Sequence, residues 1–390
     1  MHEKTGMKKT YNILYYLLHY SAIAFLMPYF VLYYREIGLS PVQIGLLAGL
    51  SPLVVMVGAP FWTGLADRLG RHKLVMSLTI LGAISIALIF PFARALLPIL
   101  LVVVLFSFTA GPIPSFADSA ALFMLGNEKD KYGRIRLGGT IGFGLASAAA
   151  GVIIQTQGIR WAFLGYAGFM FLALIVVQRF NFGGKIGNPS LLRDIRRVLS
   201  QPQWLYFLSL AFMGGFAFTT INNYIFPYME ELGISRTLMG LSLTIATLSE
   251  LPVLFFSNRM LRRFGAYGLF VFAMVMLGVR ILLYAWFNST AGILLFQLMN
   301  GLTFPLVIVA GVSYVEASSP PGMKATGQGL FGAMIAGIGA AVGGLVGGLL
   351  FGSLGGQWMY FIVGCLVLLS VGGITILEKA NRSQKARSIV

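Results

Sequence analysis

Long apolar runs separated by short charged turns account for most of the chain. A bilayer-crossing helix needs about 20 apolar residues. On that measure the sequence predicts helical spans at 11–34, 43–66, 74–92, 97–123, 136–156, 161–179, 203–228, 238–257, 266–286, 291–314, 326–350 and 357–377. Most connections are too short to hold another domain. The exception is 180–202, where Phe182-Gly183-Gly184-Lys185-Ile186-Gly187-Asn188-Pro189 predicts a flexible link. It leads into a short basic amphipathic helix over 190–199, of the kind that lies on a membrane surface. The expected fold class is an all-α integral membrane protein with twelve transmembrane helices. Its parts are a first six-helix bundle at 1–179, a cytoplasmic linker at 180–202, and a second bundle with a basic tail at 203–390.

A weak internal repeat supports two pseudo-symmetric halves. Gly38-Leu39-Ser40 and Gly45 match Gly233-Ile234-Ser235 and Gly240 at an offset of 195, and Gly70 matches Gly265 at the same offset. The Gly133-Arg134 region and its following glycines resemble the stretch from Lys324 through Gly332. Parallel halves of this kind place a solute cavity at their interface and allow alternating access. Glycine-rich packing habits shared by all spans are the alternative explanation, and the agreement of two repeated turns with the span count favours the repeat. Glycines crowd spans five and eleven, where backbones can approach closely.

Composition narrows the class. With 57% hydrophobic and 10% charged residues in 390, and a mean hydropathy of +0.84, the chain lacks the polar surface of a water-soluble globule. A single cysteine, Cys365, excludes an internal disulfide and cysteine-based metal sites. The first apolar run follows Lys4, Lys8 and Lys9 but is too long for a signal peptide, so it reads as a retained span. The net charge of +16 raises nucleic acid as a partner, and its distribution argues against one. With a cytoplasmic N-terminus, all Lys and Arg fall on the cytoplasmic side except Arg35, Arg94, Arg160, Arg236 and Arg280. This positive-inside pattern puts both termini in the cytoplasm, consistent with the inner membrane of a bacterium.

Asp118, Glu250 and Arg280 lie within apolar runs, where a charge is costly unless it faces a cavity or a partner. Asp118 in span four has Arg136, across the 124–135 turn, as its nearest prospective counter-charge. An Asp–Arg pair there can bind a polar solute or serve structure alone. Glu250 is the proton-coupling candidate, with Asp118 second. Arg280 can receive a carboxylate, phosphate or sugar hydroxyl through its donor fork, or simply satisfy Glu250. His19, Tyr29, Asn223 and Asn300 complete the candidate solute-binding set. The turn Gly64-Leu65-Ala66-Asp67-Arg68-Leu69-Gly70-Arg71-His72-Lys73 is a candidate gate built on Gly64, Asp67, Arg68, Gly70 and Arg71. Its acid is placed to cap helix-terminal amides and to pair with a base across the half-to-half seam. Glu316, near a cytoplasmic end, fits a gate network.

Gly64-Leu65-Ala66-Asp67-Arg68-Leu69-Gly70-Arg71 resembles the signature between spans two and three of the major facilitator superfamily. Met27-Pro28-Tyr29-Phe30 with Gly38-Leu39-Ser40, Tyr132-Gly133-Arg134-Ile135-Arg136-Leu137-Gly138-Gly139, and Gly301-Leu302-Thr303-Phe304 resemble the group of lactose permease, phenylpropionate permease and nucleoside–proton symporters. The resemblance runs over nearly the whole chain and implies the major facilitator fold. It implies sugar-binding roles for Asp118 and Arg136, and matches Glu250 and Arg280 to a span-eight glutamate and a span-nine arginine. Span ten departs from the pattern. Where lactose permease has a histidine and a proton-carrying glutamate before the equivalent of Pro305, this chain has Asn300 and Thr303. The resemblance therefore implies solute–proton symport more than any particular sugar.

The expected function is proton-coupled uptake of a small polar or anionic organic solute, such as a sugar, nucleoside or aromatic carboxylate. The chain is expected to be no enzyme, to need no cofactor beyond the coupling proton, to bind no nucleic acid, to contact membrane lipids and to act as a monomer. Proton-driven efflux, uniport, and a non-transporting receptor or scaffold of the same fold are the alternatives.

Overall fold

The computed structural model describes residues 2–126, 128, 132–182, 196–320 and 323–387, with side chains described from 10 to 381 among these. The predicted flexible link at 183–189 and the first part of the predicted surface helix, 190–195, lie outside the described residues. Among the described residues, eleven helices are long and apolar enough to cross a membrane. They are α1 (Thr10–Glu36), α2 (Pro41–Leu69), α3 (His72–Phe92), α4 (Leu96–Leu125), α5 (Tyr132–Gln157), α6 (Arg160–Val177), α7 (Pro202–Glu231), α8 (Arg236–Phe264), α9 (Ala266–Trp286), α10 (Thr290–Ser318) and α11 (Lys324–Asn381).

The twelfth predicted crossing is inside α11. A straight helix of its 58 residues would run about 87 Å, nearly three times the hydrocarbon thickness. Gly355 breaks it, with φ 79 and ψ 170, between the predicted spans 326–350 and 357–377. That break belongs to a series. Gly38 and Gly233 have φ of 83 and 71, and Gly70 and Gly265 have φ of 62 and 70, so both repeated pairs occupy the backbone region that side chains disfavour. Gly158 and Gly355, with φ of 91 and 79, form a further pair at an offset of 197. The sharp end of α5 thus has its counterpart at the break in α11.

The chain folds as two compact units. Unit 1 comprises Met1–Gly187 and Gly233–Thr247; unit 2 comprises Asn188–Leu232 and Leu248–Val390. Within each, the first helix is the most enclosed: 61% of the apolar stretch of α1 is buried, and 67% of that of α7.

In unit 1, α1 lies directly on α5 because glycines remove the obstacle. A Cβ added at Gly138 would stand 2.6 Å from the Ile13 carbonyl oxygen, and one at Gly142 would strike the Leu17 carbonyl. Ser21 Oγ then donates to Gly142 O at 3.1 Å. This close seam carries Tyr16 and Tyr20 of α1 toward Tyr132 and Arg136 of α5. At the start of α8, which belongs to the same unit, Arg236 pairs with Glu36 and Thr244 Oγ1 donates to Gly144 O at 2.7 Å.

In unit 2, α7 packs on the first part of α11, where Thr220 Oγ1 donates to Gly343 O at 3.1 Å and Tyr224 OH to Gly344 O at 2.7 Å. Residues Ala333–Gly339 of α11 form a π-helical turn. The glycine-rich composition permits that local change of winding. Gly301 of α10 sits against the backbone of Ser249 in α8, and a side chain there would strike the Ser249 carbonyl. Gly301 N donates to Ser249 Oγ at 3.0 Å. This contact sets Asn300 beside Glu250.

Candidate functional site

The charged residues predicted from the apolar runs assemble as two clusters, one in each unit. In unit 1, Asp118 is half-buried on α4, in the helical segment that restarts after Gly111-Pro112. Its Oδ1 accepts from Tyr16 OH and from Tyr132 OH at 2.6 Å. Arg136 lies one helical turn beyond Tyr132, is exposed, and donates from Nη2 to Tyr20 OH at 3.4 Å. The expected Asp118–Arg136 pair is therefore corrected. Among the described residues the two charges make no direct ion pair: Asp118 is bonded to Tyr16 and Tyr132, and Arg136 to Tyr20. The close α1–α5 seam is what sets Tyr20 beside Arg136.

In unit 2, Arg280 of α9 is only 3% exposed and nearly saturated by neutral acceptors. Nε donates to Tyr284 OH at 2.9 Å, Nη1 to Asn300 Oδ1 at 2.6 Å and Thr303 Oγ1 at 3.1 Å, and Nη2 to Gln297 Oε1 at 2.7 Å. Tyr284 follows Arg280 by one turn of its helix, and the guanidinium lies 5.5 Å from the tyrosine ring centroid. Asn300 Nδ2 donates to Glu250 Oε1 at 2.7 Å. Glu250 is half-buried, and Oε1 is its one bonded oxygen among the described residues. The two positions at which span ten departs from the lactose-permease pattern, Asn300 and Thr303, are thus ligands of Arg280. Arg280 reaches Glu250 through an amide and not by contact.

The other predicted residues fall elsewhere. His19 is 4% exposed, its Nδ1 3.4 Å from Met170 Sδ and its ring stacked on Tyr15. It is packed into unit 1 and shares no hydrogen bond with the Asp118 group. Tyr29 is buried. Asn223 is half-buried on α7. In the candidate gate, Asp67 Oδ1 meets His72 Nε2 at 2.8 Å, a partner five positions on in the same turn. Gly70 ends α2 in the left-handed region (φ 62, ψ 21), its N–H bonded to Ala66 O. Gly64 lies within α2 and needs no special backbone. Arg68 and Arg71 are exposed, and Lys73 Nζ donates to Gln178 O at 3.0 Å. Glu316 pairs with Lys324 in an exposed bridge.

Sequence reasoning passed over Tyr16, Tyr20, Tyr132, Tyr284 and Gln297 as parts of these clusters. Gln297, Asn300 and Thr303 recur at intervals of three, and Tyr284 stands four after Arg280. Both spacings put side chains on one helical side and were available as a signal. Among the described residues no group of three His, Cys, Asp or Glu is arranged to hold a metal ion.

A family model described as "MFS_1 like family" matches residues 10–362. The maltose permease of Geobacillus stearothermophilus is 27% identical over 371 residues, covering 93% of this chain and 94% of the permease. The probable 3-phenylpropionic acid transporter of Escherichia coli (strain K12) is 21% identical, over 77% of this chain and 80% of that protein. The crystal structure of the nucleoside transporter NupG matches with a TM-score of 0.81 at 17% identity, covering 96% of this chain and 99% of that one. That likeness establishes the fold.

Proposed function

We propose a function from this premise: the chain belongs to the MFS_1 like family of major facilitator transporters. It is a multi-pass membrane protein that carries out secondary transport of a small organic solute, and it is not an enzyme. On that footing we read it as a proton-coupled symporter taking up a small polar solute by alternating access. In this reading it works as a monomer in the cell membrane, with both termini in the cytoplasm. A sugar is the first solute to test, because the maltose permease aligns over nearly the whole chain. Aromatic carboxylates and nucleosides come next.

Each cluster takes a part. The Asp118–Tyr16–Tyr132 group and the exposed Arg136 contact the solute, with Asn223 a further contact. Phenols, a carboxylate and a guanidinium together offer the mixed donors and acceptors that a polyhydroxylated or carboxylated molecule needs. Glu250 carries the proton. The observation behind the coupling assignment is the geometry of that carboxyl: half-buried in a membrane-spanning helix, bonded at one oxygen to Asn300, and linked by that amide to a buried arginine. Such intramembrane charges are costly to keep and mark ion pathways in transporters. The Asp67 turn, with Gly64, Arg68, Gly70 and Arg71, biases which side opens.

The test is transport in proteoliposomes. Maltose and other sugars, nucleosides and aromatic carboxylates are each offered with and without an imposed pH gradient. Accumulation above equilibrium only when the interior is alkaline supports symport. Uptake indifferent to a protonophore makes the protein a uniporter, and binding without flux makes it a receptor. Glu250→Gln is expected to retain solute exchange while losing gradient-driven accumulation. Undiminished accumulation would remove Glu250 from the coupling role.

A further inference from the structure

The amide between Glu250 and Arg280 has its orientation dictated by its neighbours. A guanidinium carries donors only, so the Asn300 oxygen must face Arg280, where it accepts at 2.6 Å. The amide nitrogen must then face the carboxyl, to which it donates at 2.7 Å. Turning the amide over would set N–H against N–H on one side and oxygen against oxygen on the other. Arg280 cannot swing away to relieve such a reversal, because Tyr284, Gln297 and Thr303 hold three of its other donors. The backbone at Asn300 is fixed as well. Its neighbour Gly301 is bonded to Ser249, the residue before Glu250, and is packed so closely that no side chain would fit.

We propose that Asn300 is a positioning residue of the coupling step, holding Glu250 by one oxygen so that the proton is exchanged at the other. Oε1 keeps its bond from the amide in both forms of the carboxyl, since the carbonyl oxygen of a protonated acid still accepts. The proton forms its O–H bond at Oε2 and leaves from there, with no other bond made or broken. What changes is charge: the ionised carboxyl balances Arg280 through the amide, and the protonated one leaves the buried guanidinium without that balance. Asn300 therefore keeps the carboxyl's position constant while its charge alternates. This inference rests on the proposed role of Glu250 and adds the residue that makes that role geometrically reproducible.

Asn300→Asp separates the two bonds. The new carboxylate, kept ionised by Arg280, still accepts from it but has no donor for Glu250. We expect its gradient-driven accumulation to fall about tenfold or more relative to its own solute exchange between equal pools, which moves no net proton; that is the scale of one charge-assisted hydrogen bond. Asn300→His is the conservative rescue: a neutral imidazole has one acceptor nitrogen and one N–H, and accumulation should return. In the Asn300→Asp/Glu250→Gln pair, the second change should add no further loss. Exchange and accumulation falling in parallel would make Asn300 merely structural. Unimpaired accumulation in Asn300→Asp, or equal loss in Asn300→Asp and Asn300→His, would overturn the inference while leaving Glu250 in place. A wild type that equilibrates its solute without accumulating it would remove the coupling reading, and this inference with it.

Discussion

In unit 1 a carboxylate meets two phenols; in unit 2 a carboxylate meets an amide. Tyr16 and Tyr132 converge on one oxygen of Asp118, and each hydroxyl can rotate to accept where it now donates. That cluster can change partners when a solute offers a hydroxyl or carboxylate, and its arginine, Arg136, is exposed to meet one. The Asn300 amide has no such freedom, since Arg280 dictates its orientation and is itself enclosed by Gln297, Thr303 and Tyr284. The comparison teaches that equal inventories of one acid and one arginine serve different purposes according to the neutral groups between them. Interchangeable hydroxyls suit recognition, and a fixed amide suits relay.

Four substitutions and one control test that contrast, in falling order of effect. Arg280→Ala strips a donor from four buried or half-buried acceptors at once. It should cost about 3–5 kcal/mol of stability, read as a large drop in unfolding temperature in detergent. Arg136→Ala, made as its control, should leave that temperature nearly unchanged, and equal losses would erase the distinction between the clusters. Asp118→Asn should preserve folding and weaken solute binding by about 1.5–3 kcal/mol, the worth of hydrogen bonds to a charged group. Unaltered affinity by calorimetry would take Asp118 out of the recognition set. Tyr132→Phe removes one of two donors to the same oxygen, so about 1 kcal/mol of affinity should go, with accumulation ratio at saturating solute unchanged. A lost ratio would mean that the unit 1 cluster also relays. Thr303→Val deletes Arg280's longest side-chain bond, 3.1 Å. We expect a loss of under about 1 kcal/mol of stability, a small drop in unfolding temperature, and no change in transport.

The spans and the two-half repeat were legible because each rests on a local property. Apolar run length is read directly, and the matched glycines Gly38/Gly233 and Gly70/Gly265 stand where only the smallest residue turns cheaply. Gly158/Gly355 escaped notice because their offset is two longer than the others, although Trp161 and Trp358 share it. The charges were legible for the same local reason, as intrusions into hydrocarbon. Their partners were not. Tyr16 is 102 positions from Asp118, and with 31 Phe and 16 Tyr in the chain nothing local singles it out. The pairing of Asp118 with Arg136 failed because an opposite charge was weighed and a nearer neutral donor was not. For Asp67 a near partner was overlooked: His72, five positions on, meets it within its own turn.

The wide turn at Ala333–Gly339 carries a mechanical consequence. A π turn spaces its hydrogen bonds one residue further apart than an α turn does, so it stores a single residue of slack. Taking up that slack would thread the N-terminal part of α11 around its own axis by about 100° and along it by about 1.5 Å. Gln328, now donating to the Val312 carbonyl of α10, would then point elsewhere, while Gly343 and Gly344 kept their seats on α7. A single helix can in this way change which side chains it shows to its neighbours by screwing rather than bending, with glycine supplying the bearing.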